Sequence, residues 1–196
     1  RGCLVREAAA DFQRQQPGAA GNGALMRTGP VALAALGDRD RVASLAGDVA
    51  ALTHPHPDSV EACVLWSLAI EAAITSSSTD VRCDWAATIR AGLDHLPADR
   101  RDVWAARIDD ALGTVPADYC RSNGWVVGAF GASIASLAAA GDDPVDALRA
   151  AARGGGDTDT VAAIAGSLLG AAYGASAITG PWRTVLNGRR TYDEPP

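Results

Sequence analysis

Two carboxylates and two hydroxyls lie within four consecutive residues, directly after a run of glycines. They belong to Asp157, Thr158, Asp159 and Thr160, and an apolar helical pattern follows them. Carboxylate and hydroxyl oxygens are hard ligands of the kind that Mg²⁺, Mn²⁺ and Ca²⁺ prefer. The segment therefore predicts either a divalent-metal site or a helix start at which one aspartate caps the backbone. Because capping needs only one carboxylate, the local sequence favours the cap, which leaves the second carboxylate unexplained.

A glycine-rich loop near the start of the chain is the second candidate. It contains Gly21, Asn22 and Gly23, and Met26 and Arg27 follow within one helical turn. Glycines let backbone N–H groups approach an anion, and an arginine can pair with a phosphate or a carboxylate. The pattern matches neither the dinucleotide-binding fingerprint nor a Walker loop. The alternative is an ordinary turn, since Gly and Asn are the usual turn formers.

Two histidines separated by a proline form the third candidate. His54 and His56 precede a predicted buried helix, whose Asp58 and Glu61 have the spacing of a capping box. A histidine here can act as an acid or base, bind a metal, stack on a base or ribose, or satisfy only local backbone groups. Because Asp58 is predicted to cap the helix, His54 is the better candidate to face a ligand.

Helical periodicity covers most of the chain. Apolar residues recur at intervals of three and four, and the predicted helices span 40–52, 58–74, 80–93, 98–112, 123–139, 144–152 and the segment after Gly156. The helices over 58–74 and 123–139 are apolar nearly all round and are expected inside. Ser122 or Asn123 is a predicted cap of the second of these, and Asp143 of the helix that follows it.

The last predicted helix carries a glycine at every fourth position, at Gly166, Gly170 and Gly174. The three glycines lie on one helical face. Each costs about 1 kcal/mol relative to alanine, so the row predicts that a neighbouring helix approaches closely there.

Composition predicts one all-α domain. The chain has 196 residues, 48% of them hydrophobic and only 5% aromatic, a balance that suits close-packed helices. We predict a domain over 1–187 and a poorly ordered tail over 188–196. The uncharged stretch 160–182 is rich in Ala, Gly, Ser and Thr, so it predicts a buried helix better than a membrane span.

Charge and cysteine usage exclude several classes of function. A net charge of −6 argues against a general affinity for nucleic acids or anionic membranes, which both need clustered basic residues. The four cysteines form no C-x-x-C pair, and no signal-peptide pattern opens the chain. These features predict reduced thiols and a cytoplasmic location.

The motifs, in this order, resemble those of the ADP-ribosylglycohydrolase family. The segments that carry the resemblance are GNGALMRTGPVAL from Gly21, LTHPHPDSVEAC from Leu52, SNGWVV from Ser122 and GGDTDTVAAIAGSLLGAAYG from Gly155. The last segment is the most specific, and the resemblance extends from Gly2 to about Trp182. It implies a compact, orthogonal multi-helix bundle.

The resemblance also implies a reaction and a set of site residues. Members of the family use two Mg²⁺ or Mn²⁺ ions to hydrolyse the bond between ADP-ribose and an acceptor such as an arginine or serine side chain. By resemblance, Asp157 and Asp159 are catalytic, and they bind metal together with Thr160. The residues expected along the ADP-ribose are Asn22, Gly23, Met26, Arg27, His54 and Gly156.

One family motif has no counterpart in this sequence. Family members carry a Thr-Asp-Asp-type motif near the N-terminus that supplies further metal ligands, and nothing in residues 1–20 resembles it. We therefore expect a missing N-terminal segment or a second chain to supply those ligands. The sequence predicts a metal-dependent hydrolase that releases ADP-ribose from modified proteins. The alternative is a non-catalytic member that binds ADP-ribose or a nucleotide, or a structural member. We also expect an exposed apolar face that drives association.

Overall fold

The computed structural model describes residues 2–76, 84–177 and 180–185, and it is built of helices. The α-helices in chain order are α1 (Gly2–Gln15), α2 (Leu25–Thr28), α3 (Arg39–Ala51), α4 (Pro57–Thr75), α5 (Trp85–Arg90), α6 (Ala98–Leu112), α7 (Val126–Ala139), α8 (Pro144–Arg153), α9 (Thr158–Tyr173) and α10 (Gly180–Val185). Short 3-10 helices span Gly29–Ala35, Leu93–His95, Pro116–Tyr119 and Ala175–Ala177. The prediction of an all-α bundle is confirmed.

Helices α4, α7 and α9 form the centre of the bundle. As predicted, α4 and α7 are apolar nearly all round and are buried along most of their length. The indole Nε1 of Trp66 in α4 donates to the Ile164 carbonyl of α9 at 3.0 Å. The ring of Phe130 in α7 packs edge-on against Trp66 and against Trp104 of α6, with centroid distances of 5.5 and 5.0 Å. The aromatic contacts therefore join α4, α6 and α7, and the Trp66 hydrogen bond adds α9 to the same core.

The predicted cap of α4 is wrong. Ring atom Nδ1 of His56 accepts the backbone N–H of Asp58 at 3.1 Å, so the histidine caps the helix. The carboxylates of Asp58 and Glu61 turn instead toward arginines of α6. Both carboxylates are buried, and a buried charge is stable only when it is paired and hydrogen-bonded.

A network of charged and aromatic side chains joins α4 to α6. Arg107 Nη1 donates to Asp58 Oδ1 at 2.8 Å, and Arg100 reaches both Asp58 and Glu61. The Trp104 indole donates to Glu61 Oε2 at 2.6 Å, and the Arg107 guanidinium lies 4.6 Å from the centroid of the Trp104 ring. These five residues, the arginine network, fix the first turns of α4 against α6.

The close approach of a neighbouring helix that was predicted along the glycine row of α9 is found only at its first glycine. A Cβ built on Gly166 would lie at ordinary contact distance, 3.4 Å, from Leu148 of α8, but a Cβ on Gly170 would meet nothing within 4 Å. Gly174 ends the helix with a φ of +74°. The prediction of close packing is therefore wrong at Gly170 and Gly174. Gly170 lines an open apolar groove of about 410 Å³ beside Leu33 and Ile70.

Several boundaries differ from the prediction. The helix predicted over 80–93 is described only from α5, where Asp84 caps the start and accepts the Ala87 N–H at 2.8 Å. The start of that prediction and the tail over 188–196 lie outside the described residues. Helix α1 was not predicted, and it exposes Leu4 and Phe12. Neither side chain tests the predicted apolar face, and that face and association through it stay predictions.

Within the described ranges, no helix combines the length and the apolarity that a membrane-spanning segment needs. The uncharged stretch 160–182 includes α9, whose Val161, Ile164 and Leu168 are buried in the bundle. Among the described cysteines, Cys63 is buried and Cys120 is exposed, and both are free thiols.

Candidate active site

A short antiparallel contact brings two of the predicted motifs together. The glycine loop (residues 21–23) forms a β-bridge between Gly21 and Trp125, just before α7. The Val126 N–H donates to the Ala20 carbonyl at 2.8 Å, and the Asn22 N–H donates to the Gly124 carbonyl at 3.3 Å. The turn before α7 therefore sets the position of the glycine loop.

Two asparagine side chains then connect both motifs to the aspartate turn (residues 155–157). Asn22 Nδ2 donates to the Asn123 carbonyl at 2.7 Å and to Asp157 Oδ2 at 2.6 Å. Asn123 Nδ2 donates to the Gly155 carbonyl at 2.8 Å, and its Oδ1 accepts the Asp157 N–H at 3.0 Å. Both asparagines are buried. Asn22, Asn123 and Asp157 thus form one connected unit, the amide bridge.

The aspartate turn fits this position only with glycine at residue 156. Its φ is +70°, in the left-handed region that favours glycine. A Cβ there would lie 2.2 Å from the Cys120 carbonyl oxygen and 2.5 Å from Asn123 Oδ1. Gly156 therefore lets the turn close directly onto the amide bridge. The sequence prediction gave Gly156 a ligand contact, and the structure adds this packing role.

The carboxylate of Asp157 is stabilised in its charged form. Asp157 occupies the cap position of α9, but its shortest side-chain hydrogen bond comes from Asn22 rather than from the helix. That bond, with smaller contributions from Thr160 and Asp159, outweighs the opposing effect of burial and lowers the pKa of Asp157. Asp157 is therefore ionised at neutral pH.

Asp159 and Thr160 lie in the first turn of α9, next to Asp157. Asp159 is exposed, whereas Thr160 is buried and its Oγ1 lies 3.9 Å from Met26 Sδ. Met26, which was predicted to lie along the ligand, is itself exposed next to this turn. The structure thus brings the predicted metal ligands and one predicted ligand contact to the same place.

The remaining predicted residues meet on the other side of the glycine loop. A Cβ on Gly23 would lie 3.2 Å from His54 Nε2, so the imidazole packs directly on the loop. Arg27 Nη1 donates to the Gly23 carbonyl at 2.8 Å, and Arg27 Nη2 donates to the Thr53 hydroxyl. Burial, and then the charge of Arg27, lowers the pKa of His54 below its ordinary value of 6.5.

Three residues of this arrangement were missed by the sequence reasoning. Asn123 was considered only as a cap of α7, but the cap position belongs to Trp125, which carries no side-chain cap. Thr53 and Ser59 were not singled out, although Ser59 is buried and its hydroxyl donates to the Gly21 carbonyl at 3.4 Å. Asn-Gly in a polar turn and Thr beside His54 were the signals available, and both are common in ordinary loops.

The site offers oxygen ligands of the type that a divalent metal binds, but it offers too few of them to hold two ions. Asp157, Asp159 and Thr160 offer two carboxylates and a hydroxyl, the ligand type of Mg²⁺ and Mn²⁺. Among the described residues, no group of three or more His, Cys, Asp and Glu side chains is arranged to hold a metal ion. By themselves these three residues are too few for the two ions that the family resemblance implies, and metal binding stays a prediction.

The sequence model of the ADP-ribosylglycohydrolase family matches residues 2–194. The chain belongs to this family. A solved structure named "ADP-ribosylglycohydrolase-related protein complex" is 27% identical to the chain, with a TM-score of 0.71. The match covers 93% of this chain and 63% of the solved one, so this ADP-ribosylglycohydrolase homologue spans less than two thirds of that relative. No curated protein matches the chain.

Membership in the ADP-ribosylglycohydrolase family supports a hydrolase function at the level of reaction class. Because the chain covers only 63% of that relative, its own hydrolase activity and its ADP-ribose ligand stay predictions. The metal, the acceptor and the cytoplasmic location stay predictions.

Proposed function

We propose that this chain binds the ADP-ribose part of a modified protein on the surface formed by the glycine loop, the aspartate turn and the first turn of α9, and contributes to hydrolysis of the glycosidic bond. The amide bridge is the observation that carries the proposal. It joins three segments that are far apart in the sequence and ties a charged carboxylate to the glycine loop. A purely structural turn does not need that carboxylate.

The charge distribution of this surface suits the two ends of ADP-ribose. Arg27 is exposed beside the glycine loop, where a diphosphate would gain from its positive charge. Asp157 and Asp159 lie on the opposite side, where carboxylates can accept hydrogen bonds from ribose hydroxyls. An ionised Asp157 also stabilises positive charge that develops at the anomeric carbon during bond cleavage.

We further propose that Asp157, Asp159 and Thr160 contribute ligands to one Mg²⁺ or Mn²⁺ ion. A bound divalent ion would orient the ribose hydroxyls and lower the pKa of a water molecule. Asn22 holds Asp157 in place for this role, and Gly156 lets the turn adopt the required conformation. The second ion implied by the sequence resemblance needs ligands beyond this set.

The proposal is tested by calorimetric titration of ADP-ribose into the protein with and without Mg²⁺. We expect Mg²⁺-dependent binding that weakens at least about tenfold in the double variant Asp157→Ala, Asp159→Ala. The matched control is Asp99→Ala, Asp102→Ala, which removes two exposed carboxylates from α6 and is expected to bind normally. Unchanged binding in the first double variant would exclude the proposed site.

A second candidate function is binding of ADP-ribose without hydrolysis. The observation that favours it is the small number of acidic side chains at the site within the described residues. The two candidates differ in one product, free ADP-ribose released from an arginine-modified peptide. Release that depends on Asp157 supports the hydrolase, and tight binding without release supports the non-catalytic member.

A further inference from the structure

The hydroxyl of Thr53 connects the charged side chain of Arg27 to the imidazole of His54. Arg27 Nη2 donates to Thr53 Oγ1, and Oγ1 lies 2.9 Å from His54 Nδ1. The other ring nitrogen, Nε2, faces the glycine loop together with Cε1. In the described part of the chain, Nε2 has no hydrogen-bond partner, so this nitrogen is available to a ligand.

The direction of these hydrogen bonds follows from the donors that each group carries. A guanidinium has only donors, so the Thr53 oxygen must accept from Arg27. The Thr53 proton is then free to point at His54 Nδ1, which accepts it with its lone pair. The reverse arrangement would turn a second N–H dipole toward an oxygen already beside the Arg27 charge, and the positive ends would repel each other. A lone pair on Nδ1 is therefore favoured.

We propose that Arg27 and Thr53 hold His54 as a neutral imidazole with its proton on Nε2, so that His54 can donate a hydrogen bond to a ligand beside the glycine loop. Two of the roles open to this histidine are then excluded. With Nε2 protonated and Nδ1 accepting from Thr53, the ring offers no lone pair to a substrate proton or to a metal ion. Arg27 and Thr53 are positioning residues that act through His54.

The surroundings of the ring also favour its neutral form. His54 is partly buried against the glycine loop, and Arg27 lies on the Nδ1 side. Both effects disfavour a positive charge on the imidazole and lower its pKa. His56 differs, because its Nδ1 accepts from the Asp58 backbone N–H and the ring caps α4.

The chemical consequence concerns the part of the ligand that His54 would recognise. A neutral Nε2–H donor recognises an acceptor oxygen, such as a phosphate oxygen of ADP-ribose. This step rests on the proposed function, whereas the protonation state of the ring does not. The inference about the protonation state of His54 and the proposed function can therefore fail independently.

The protonation state is measured by long-range proton–nitrogen NMR of the nitrogen-15-labelled protein near pH 7, because the two neutral tautomers give different cross-peak patterns. His54→Asn identifies the His54 signals, and His56 serves as an internal reference for an imidazole with an accepting Nδ1. We expect His54 in the Nε2–H form. In Thr53→Val, which keeps the shape but removes the hydroxyl, we expect a mixture of tautomers, and Thr53→Ser should restore the single form.

Binding provides the second readout. We expect the affinity for ADP-ribose to fall about fivefold in Thr53→Val and to recover in Thr53→Ser, the effect of about 1 kcal/mol for one hydrogen bond. A protonated ring, an Nδ1–H tautomer in the unmodified protein, or an unchanged tautomer in Thr53→Val would overturn the inference. Failure of the unmodified protein to bind ADP-ribose would instead count against the proposed function and leave the NMR result valid.

Discussion

Two pairs of carboxylates lie at the starts of two central helices, and they have opposite surroundings. Asp58 and Glu61 at the start of α4 are buried and held by arginines and an indole N–H. Asp157 and Asp159 at the start of α9 are more exposed, and the closest donor to Asp157 is the neutral amide of Asn22. Among the described residues, no arginine forms an ion pair with either of them.

This difference separates a structural pair from a candidate functional pair. Arginines cancel the charge of Asp58 and Glu61 inside the fold, so those carboxylates have little left to offer a ligand. An amide donor orients Asp157 without cancelling its charge, which stays available for a metal ion or a ribose. Carboxylates at the start of a helix can therefore be structural or available to a ligand. The difference depends on whether an arginine or a neutral amide is the hydrogen-bond donor.

The largest expected effect is on the free energy of unfolding. Glu61→Gln should lower it by about 3 kcal/mol, because Arg100 and the Trp104 indole lose a buried charged partner. Asp157→Asn should change it by less than about 1 kcal/mol, since the new side chain can still accept from Asn22. Urea unfolding of both variants measures the difference. Equal losses in the two would remove the distinction between the pairs.

A second prediction concerns the aspartate turn. Gly156→Ala should lower the free energy of unfolding by about 2 kcal/mol, since a Cβ meets the Cys120 carbonyl and φ is positive. It should also abolish ADP-ribose binding, because the displaced turn breaks the amide bridge. Unfolding curves and calorimetry check both effects. A stable variant that binds normally would show that the turn does not need this conformation.

A third prediction concerns the stability of the protein at low pH. Burial raises the pKa of Asp58, but the hydrogen bonds and charges of Arg107 and Arg100 outweigh it and lower the pKa below the ordinary 3.8. A lowered pKa contributes stability that is present above the unfolded value and is lost as the pH falls through the folded value. The unmodified protein should therefore lose stability below pH 3.8. Asp58→Asn should lose less over the same range, which urea midpoints at a series of pH values would detect.

The smallest predicted effect is at the exposed glycine of α9. Gly170→Ala should raise the free energy of unfolding by about 0.5–1 kcal/mol, because the position is helical and a Cβ there meets nothing. Thermal melts of this variant and of Gly166→Ala, which touches Leu148, measure it. A loss of stability at Gly170 would show that the apolar groove is closed by a close contact in solution.

The sequence predicts the fold better than it predicts the site. Apolar periodicity located α4 and α7 because burial on all sides leaves a continuous apolar pattern. Helix α1 was missed, since its Leu4 and Phe12 are exposed and no packing partner shapes the local pattern. The predicted caps at Asp58 and Asn123 were wrong, because these side chains bind residues that are distant in the sequence. Local sequence preferences carry no information about such partners.

The same reason limits what could be predicted of the site. Asp157, His54 and Arg27 were recognisable from the family motifs, but their connections depend on contacts between distant segments. Asn123 shows this most clearly, since one side chain binds both ends of the aspartate turn. The β-bridge between Gly21 and Trp125 then brings Asn22 to the same place.

The most direct test of the difference between the two carboxylate pairs is Mn²⁺ binding, measured by the loss of the free-ion electron paramagnetic resonance signal in the presence of ADP-ribose. We expect the unmodified protein and folded Glu61→Gln to bind Mn²⁺, and Asp157→Asn to bind it at least about tenfold more weakly. Equal binding by Asp157→Asn, or an equal loss in Glu61→Gln under conditions where it is folded, would contradict the assignment of the metal to the start of α9.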